Sequence, residues 1–152
     1  MPVNMKLNPI QEFQVKASSS NIPVVNKRVI GQFLYKITEG TSYFSFNTFQ
    51  GTILKYNNKP YQLIPFQYSI QIQVGEKTVH KEYIGRDSFD SSRSFAEQLL
   101  IDMPSSGYIV SCDLDYKKDV MKSLAIKFSD LRDSLLLINE RFIDIMDTFR
   151  NG

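Results

Sequence analysis

Ser45 and Asn47 stand two residues apart in "FSFNTFQG" (44–51), where aromatic side chains alternate with small polar ones. The alternation predicts a half-buried strand over about Ser42 to Thr48, since side chains two apart on a strand share a face. Phe44 and Phe46 then line one face, Ser45 and Asn47 the other. Two carboxylates at this spacing would offer paired hard ligands to a divalent cation such as Mg²⁺. A hydroxyl and an amide keep the spacing and lose the charge. The other chemistry-bearing groups come later: Asp113, Asp115, Lys117 and Lys118 in "CDLDYKK" (112–118), then Lys122 and Lys127, and Asp144 with Asp147 in "RFIDIMD" (141–147).

Each of these groups also has a structural reading. Asp113, Asp115 and Asp144 could form a relocated site for Mg²⁺ or Mn²⁺. Alternatively, Asp115 caps a helix, Asp113 is a loop residue and Asp144 is structural. Lys117, Lys118 and Lys122 form either a phosphate-contacting patch or a solvated helix face. Tyr43, Tyr61 and Phe66 could stack on bases, although aromatics at strand spacing more commonly pack a core. His80 is the one histidine, and metal ligation would need partners that the sequence does not supply. Cys112, in "YIVSC" (108–112), reads as a small buried hydrophobe rather than a nucleophile. No glycine-rich phosphate loop and no nucleophile triad is present.

The elements that must position these groups follow from patterning. The chain has 152 residues, 42% hydrophobic and 22% charged, enough for one domain with a real core. A net charge of +2 does not by itself argue for nucleic acid. A single cysteine excludes an internal disulfide framework and fits a reducing, cytoplasmic setting. No stretch approaches the roughly 20 apolar residues that span a bilayer, and the N-terminus lacks a signal-peptide core, so no membrane partner is expected.

Asn8 and Pro9 open a short polar helix to about Ala17, followed by a loop over "KASSSNIP" (16–23). Asn26 caps a second helix with Val29, Ile30, Phe33 and Leu34 as its apolar stripe. After the turn-rich "YNNKPY" (56–61), "PFQYSIQIQV" (65–74) is the clearest strand, and Gly75 and Glu76 turn it into a hairpin with "TVHKEYI" (78–84). Ser94 and Glu97 have capping-box spacing, and Pro104 stops that helix. "YIVSC" suits a sheet centre. Asp115 and Ser129 are expected to cap two further helices, and "RFIDIMD" to form a fifth strand. Three strands, then helix, strand, helices and strand, give an α/β fold with a mixed five-stranded sheet flanked by helices, the layout of an RNase H-like fold.

These stretches, above all 44–72, resemble an uncharacterised bacterial family of exonuclease-like domains. The match spans nearly the whole chain, through "NKRVIGQFL", "HKEYI", "CDLDYKKDVMKSLA" and "INERFIDIMDTFR". Its members usually lie behind a RecB-like nuclease domain, which makes such a domain, or nucleic acid, the implied partner. The resemblance implies a helical segment over 1–40 packing on an RNase H-like domain over 41–152. The family's first strand reads Asp-Phe-Glu-Thr-Phe-Gln, so Ser45 and Asn47 occupy its acidic positions. Its second motif, approximately Tyr-Asn-Ala-Ser-Phe-Glu-Lys, puts Lys117 at the third acid.

The family is similar to the DEDD exonucleases, in which carboxylates hold two Mg²⁺ ions around the scissile phosphate. A lysine directly facing such an ion would repel it by roughly 8 kcal/mol at an effective dielectric near 20. The third DEDD motif is expected beyond Gly152, as in a truncated member. The implied protein is a catalytically inactive nuclease-like module, with nucleic-acid or protein binding as its remaining role, or a fragment of a longer nuclease. Catalytic residues and cofactor are then absent, and Ser45, Asn47 and Lys117 are vestigial. The alternative is a metal-dependent exonuclease that uses the displaced acids or a missing C-terminal part.

Overall fold

The computed structural model describes residues 6–37, 40–50, 62–86 and 90–150. The chain divides into two compact units, one formed by residues 37–144 and the other by 1–36 together with 145–152.

The larger unit is built on a five-stranded sheet. β1 (Ser42–Gln50), β2 (Leu63–Val74) and β3 (Lys77–Ile84) are antiparallel, whereas β4 (Ile109–Ser111) and β5 (Phe142–Asp144) run parallel to β1. The strand order is β3-β2-β1-β4-β5, so β1 is central. The β2–β3 hairpin turns at Gly75, whose φ of 59° suits a residue without a side chain. β1 obeys its alternation: Phe44 pairs with Ile70 and Phe46 with Tyr68, and all four are buried. Ser45 and Asn47 are exposed on the opposite face.

Three helices cover the apolar face: α3 (Ser92–Asp102), α4 (Leu114–Lys127) and α5 (Arg132–Glu140). Phe95 and Leu99, Val120, Met121 and Leu124, and Leu135 and Ile138 join the strand residues in one core. Phe95 meets Phe46 and Tyr68 edge-on, with centroids 5.8 and 5.3 Å away, an arrangement the ring quadrupoles favour. At the edge of this core the Tyr68 hydroxyl donates to Asp102, 2.5 Å away, and Lys81 lies 3.4 Å from the same carboxylate. Arg141 gathers the turn before β4, its guanidinium donating to the carbonyls of Pro104, Ser106 and Gly107, each 2.7 Å away. A Cβ at Gly107 would fall 2.5 Å from the Gly40 carbonyl oxygen, so only glycine fits this approach.

The smaller unit carries α1 (Pro9–Ser20), α2 (Lys27–Lys36) and α6 (Met146–Arg150). Asn8 and Gln11 form a reciprocal capping box on α1. The Asn26 side chain accepts from the Val29 backbone N–H at 3.3 Å and caps α2 as expected.

Local expectations are corrected in five places. α1 runs on to Ser20 and ends at Asn21 in the left-handed region, where asparagine is tolerated. α3 starts at Ser92, so Ser94 lies within its first turn, bonded to Tyr83, and Glu97 bonds Arg93 instead of closing a capping box. α4 starts one residue before Asp115, which is therefore in the first turn, while Asp113 occupies the cap position with φ 54° and no capping bond. α5 begins after Leu131, so Ser129 does not cap it. The fifth strand stops at Asp144, because β5 pairs only with β4 and β4 is three residues long. The turn expected over "YNNKPY" and the aromatic Tyr61 lie outside the described residues.

Candidate functional site

The polar face of β1 continues across its neighbours through the strand register. Tyr43 lies beside Gln71 and His80, Ser45 beside Ser69 and Glu82, and Asn47 beside Gln67 and Ile84. Because these rows lie on the side away from the core, they present mainly hydroxyls and amides. The Asn47 amide reaches the Gln67 oxygen only at 3.5 Å, a weak hydrogen bond. His80 lies 3.4 Å from Glu82. Tyr43 is 39% exposed, while Phe66 is half-buried with its ring 6.1 Å from that of Phe49.

The second candidate region is the entry to α4. Lys117 lies on the core side of that helix, 4% exposed. Its ammonium donates to the Cys112 carbonyl at 2.6 Å, lies 3.8 Å from the Cys112 sulfur and sits 5.9 Å from the centre of the Phe46 ring. The preceding residue, Tyr116, stacks on Phe46 and bonds Thr48 through its hydroxyl. Phe46 points away from the face that carries Ser45 and Asn47. The structure therefore brings Ser45 and Asn47 together and places Lys117 on the other side of β1. Cys112 is half-buried.

Of the remaining lysines, Lys118 is half-buried and Lys122 is exposed with Asp119 3.7 Å away. Lys127 pairs with Asp90. Burial pushes the Asp90 carboxyl up, but bonds from Lys127 and Ser92 outweigh it and hold the group below the ordinary carboxylate range. Asp102 behaves alike: burial raises it, and Tyr68, Gln98 and Lys81 together bring it down. Asp113 and Asp115 are exposed and Asp144 is half-buried at the end of β5, while Asp147 belongs to α6 in the smaller unit. Among the described residues, no three His, Cys, Asp or Glu side chains gather closely enough to hold a metal ion. None of their helices is long and apolar enough to cross a membrane.

Two features lie outside the sequence-based expectations, one without a signal in the sequence and one with it. The Arg141 clamp on three carbonyls left no periodic signal, since its acceptors are backbone groups more than 30 positions away. The cationic side of α2, with Lys27, Arg28 and Lys36, was legible as the polar complement of the apolar stripe.

No curated protein and no solved structure matches the chain. From the first residue of β1 onward, over residues 42–152, the sequence matches the family described as Domain of unknown function (DUF2779), and the chain belongs to that family.

Proposed function

We propose that this protein is a catalytically inactive, nuclease-like module of RNase H-like architecture that binds nucleic acid without cleaving it. The single observation that carries the reading is the chemistry of the central strand. Ser45 and Asn47 stand side by side on its exposed face with the spacing of a two-carboxylate metal site and no negative charge. Mg²⁺ and Mn²⁺ need hard anionic oxygens at short range, and this donor set does not fit them. The strand order β3-β2-β1-β4-β5, antiparallel on one side of β1 and parallel on the other, supports the architecture.

The test is incubation with end-labelled single- and double-stranded oligonucleotides, with and without Mg²⁺ or Mn²⁺. Bound, intact strands are expected in every case. Metal-dependent shortening that Asp113→Asn or Asp144→Asn abolishes would establish a relocated site and overturn the proposal.

A further inference from the structure

We infer that the solvent-facing side of α2 is a contact surface for single-stranded nucleic acid. The inference rests on the nucleic-acid reading above and locates the contact N-terminal to the matched family region. Residues 27, 28, 31, 32, 35 and 36 recur at helical spacing and line one shallow open cavity. The sequence of α2, KRVIGQFLYK, contains no acidic residue. Lys27, Arg28 and Lys36 are exposed, and among the described residues none of them pairs with a carboxylate.

The placement of these charges calls for an anion. The N-terminus of a helix already carries about half a positive charge, which natural helices commonly offset with acids in the first turn. α2 adds two cations there instead. That local positive potential is unopposed by its own helix and is relieved by an incoming phosphate. The middle of the surface is open at Gly31, where an added Cβ would meet nothing within 4 Å. At its far end Tyr35 is 85% exposed, beside Lys36.

Cations flanking an open aromatic ring match the two demands of a single strand, phosphate neutralisation and base stacking. A membrane surface fits less well, because bilayer binding needs an apolar band beside the cations. Here Val29, Ile30 and Phe33 lie on the other side of the helix and are half-buried, and of the apolar stripe only Leu34 is exposed, too little for such a band. The lysines of α4 are poorer candidates. Lys117 is buried, Lys122 has an acid beside it, and Asp115 and Asp119 interrupt the cationic run.

The experiment is fluorescence anisotropy of labelled single-stranded DNA and RNA at several salt concentrations, using the full chain. Replacing Lys27, Arg28 and Lys36 together by alanine is expected to weaken binding at least tenfold. The slope of log affinity against log salt should flatten by about 2, from roughly 0.7 for each lost phosphate contact on a single strand. Tyr35→Ala should weaken binding about tenfold and leave that slope unchanged. All four side chains are exposed, so circular dichroism and melting temperature should match the unmodified chain.

Binding that survives the α2 replacements and is lost in Lys118→Ala/Lys122→Ala would overturn this inference and leave the nucleic-acid reading intact. Failure of the unmodified chain to bind any strand would remove that reading and the inference with it. Capture of anionic vesicles or of poly-glutamate in place of the strands, weakened by the same replacements, would reassign the surface and overturn the inference.

Discussion

Phe46 and Asn47 are neighbours in sequence and lie on opposite sides of the sheet. Phe46 is 4% exposed and touches rings from β1, α3 and α4, whereas Asn47 is exposed and reaches one glutamine weakly. One strand thus carries a face on which the fold depends and a face that folding leaves free. Residues on the free face can change their chemistry at little cost in stability. On the proposed reading, that freedom lets the strand keep the spacing of a metal site without its carboxylates.

The contrast can be broken by mutation. Phe46→Ala should cost about 3–5 kcal/mol in urea unfolding, through lost burial and the cavity left behind. Ser45→Ala and Asn47→Ala should each stay within about 0.5 kcal/mol. A comparable loss at Asn47 would mean that the polar face also supports the fold.

Lys117 sharpens the same comparison because it belongs to the buried side. Lys117→Glu would set an unpaired carboxylate against the Cys112 carbonyl and the Phe46 ring, and should cost about 3 kcal/mol. Lys117→Met keeps the apolar stem and should cost about 1 kcal/mol or less, leaving one carbonyl short of a donor. Equal tolerance of both changes would place the ammonium in solvent. Arg141→Met removes three hydrogen bonds to carbonyls and should cost about 2 kcal/mol.

The smallest effect expected in this series is a shift with acid. Asp90 and Asp102 are held below their ordinary values in the folded chain. Their stabilisation is complete above the unfolded carboxylate value of about 3.9 and is lost as pH falls through the lower folded values. Melting temperature should therefore drop on acidification below about pH 4, and less steeply in Asp102→Asn. An unchanged slope in that variant would remove the Tyr68–Asp102–Lys81 cluster as a source of acid sensitivity.

What the sequence made legible is what repeats. The period-2 patterns of β1 and β2 announced both strands, that of β1 announced its buried face, and Gly75 announced the hairpin. Helix starts were harder to place, because an aspartate or serine serves equally well as a cap or in a first turn. At α4 the left-handed backbone of Asp113 decides which. The apolar run through Ile145 and Met146 could not reveal that β5 stops at Asp144, since that limit is set by the short partner β4. Lys117 was legible as a cation but not as a buried one. A lysine stem is apolar enough to lie along a core, and only tertiary packing decides where its ammonium ends.

The most direct test of the central claim is the melting temperature of the unmodified chain across a Mn²⁺ titration, beside Ser45→Asp/Asn47→Glu. An ion at 100 times its dissociation constant adds about 2.7 kcal/mol of stability. For a chain of this size that is a shift of about 5–10 °C. The unmodified chain should show no saturable shift, and the double variant should gain one once two carboxylates stand on the exposed face of β1. A saturable rise in the unmodified chain, accompanied by strand cleavage, would contradict the account.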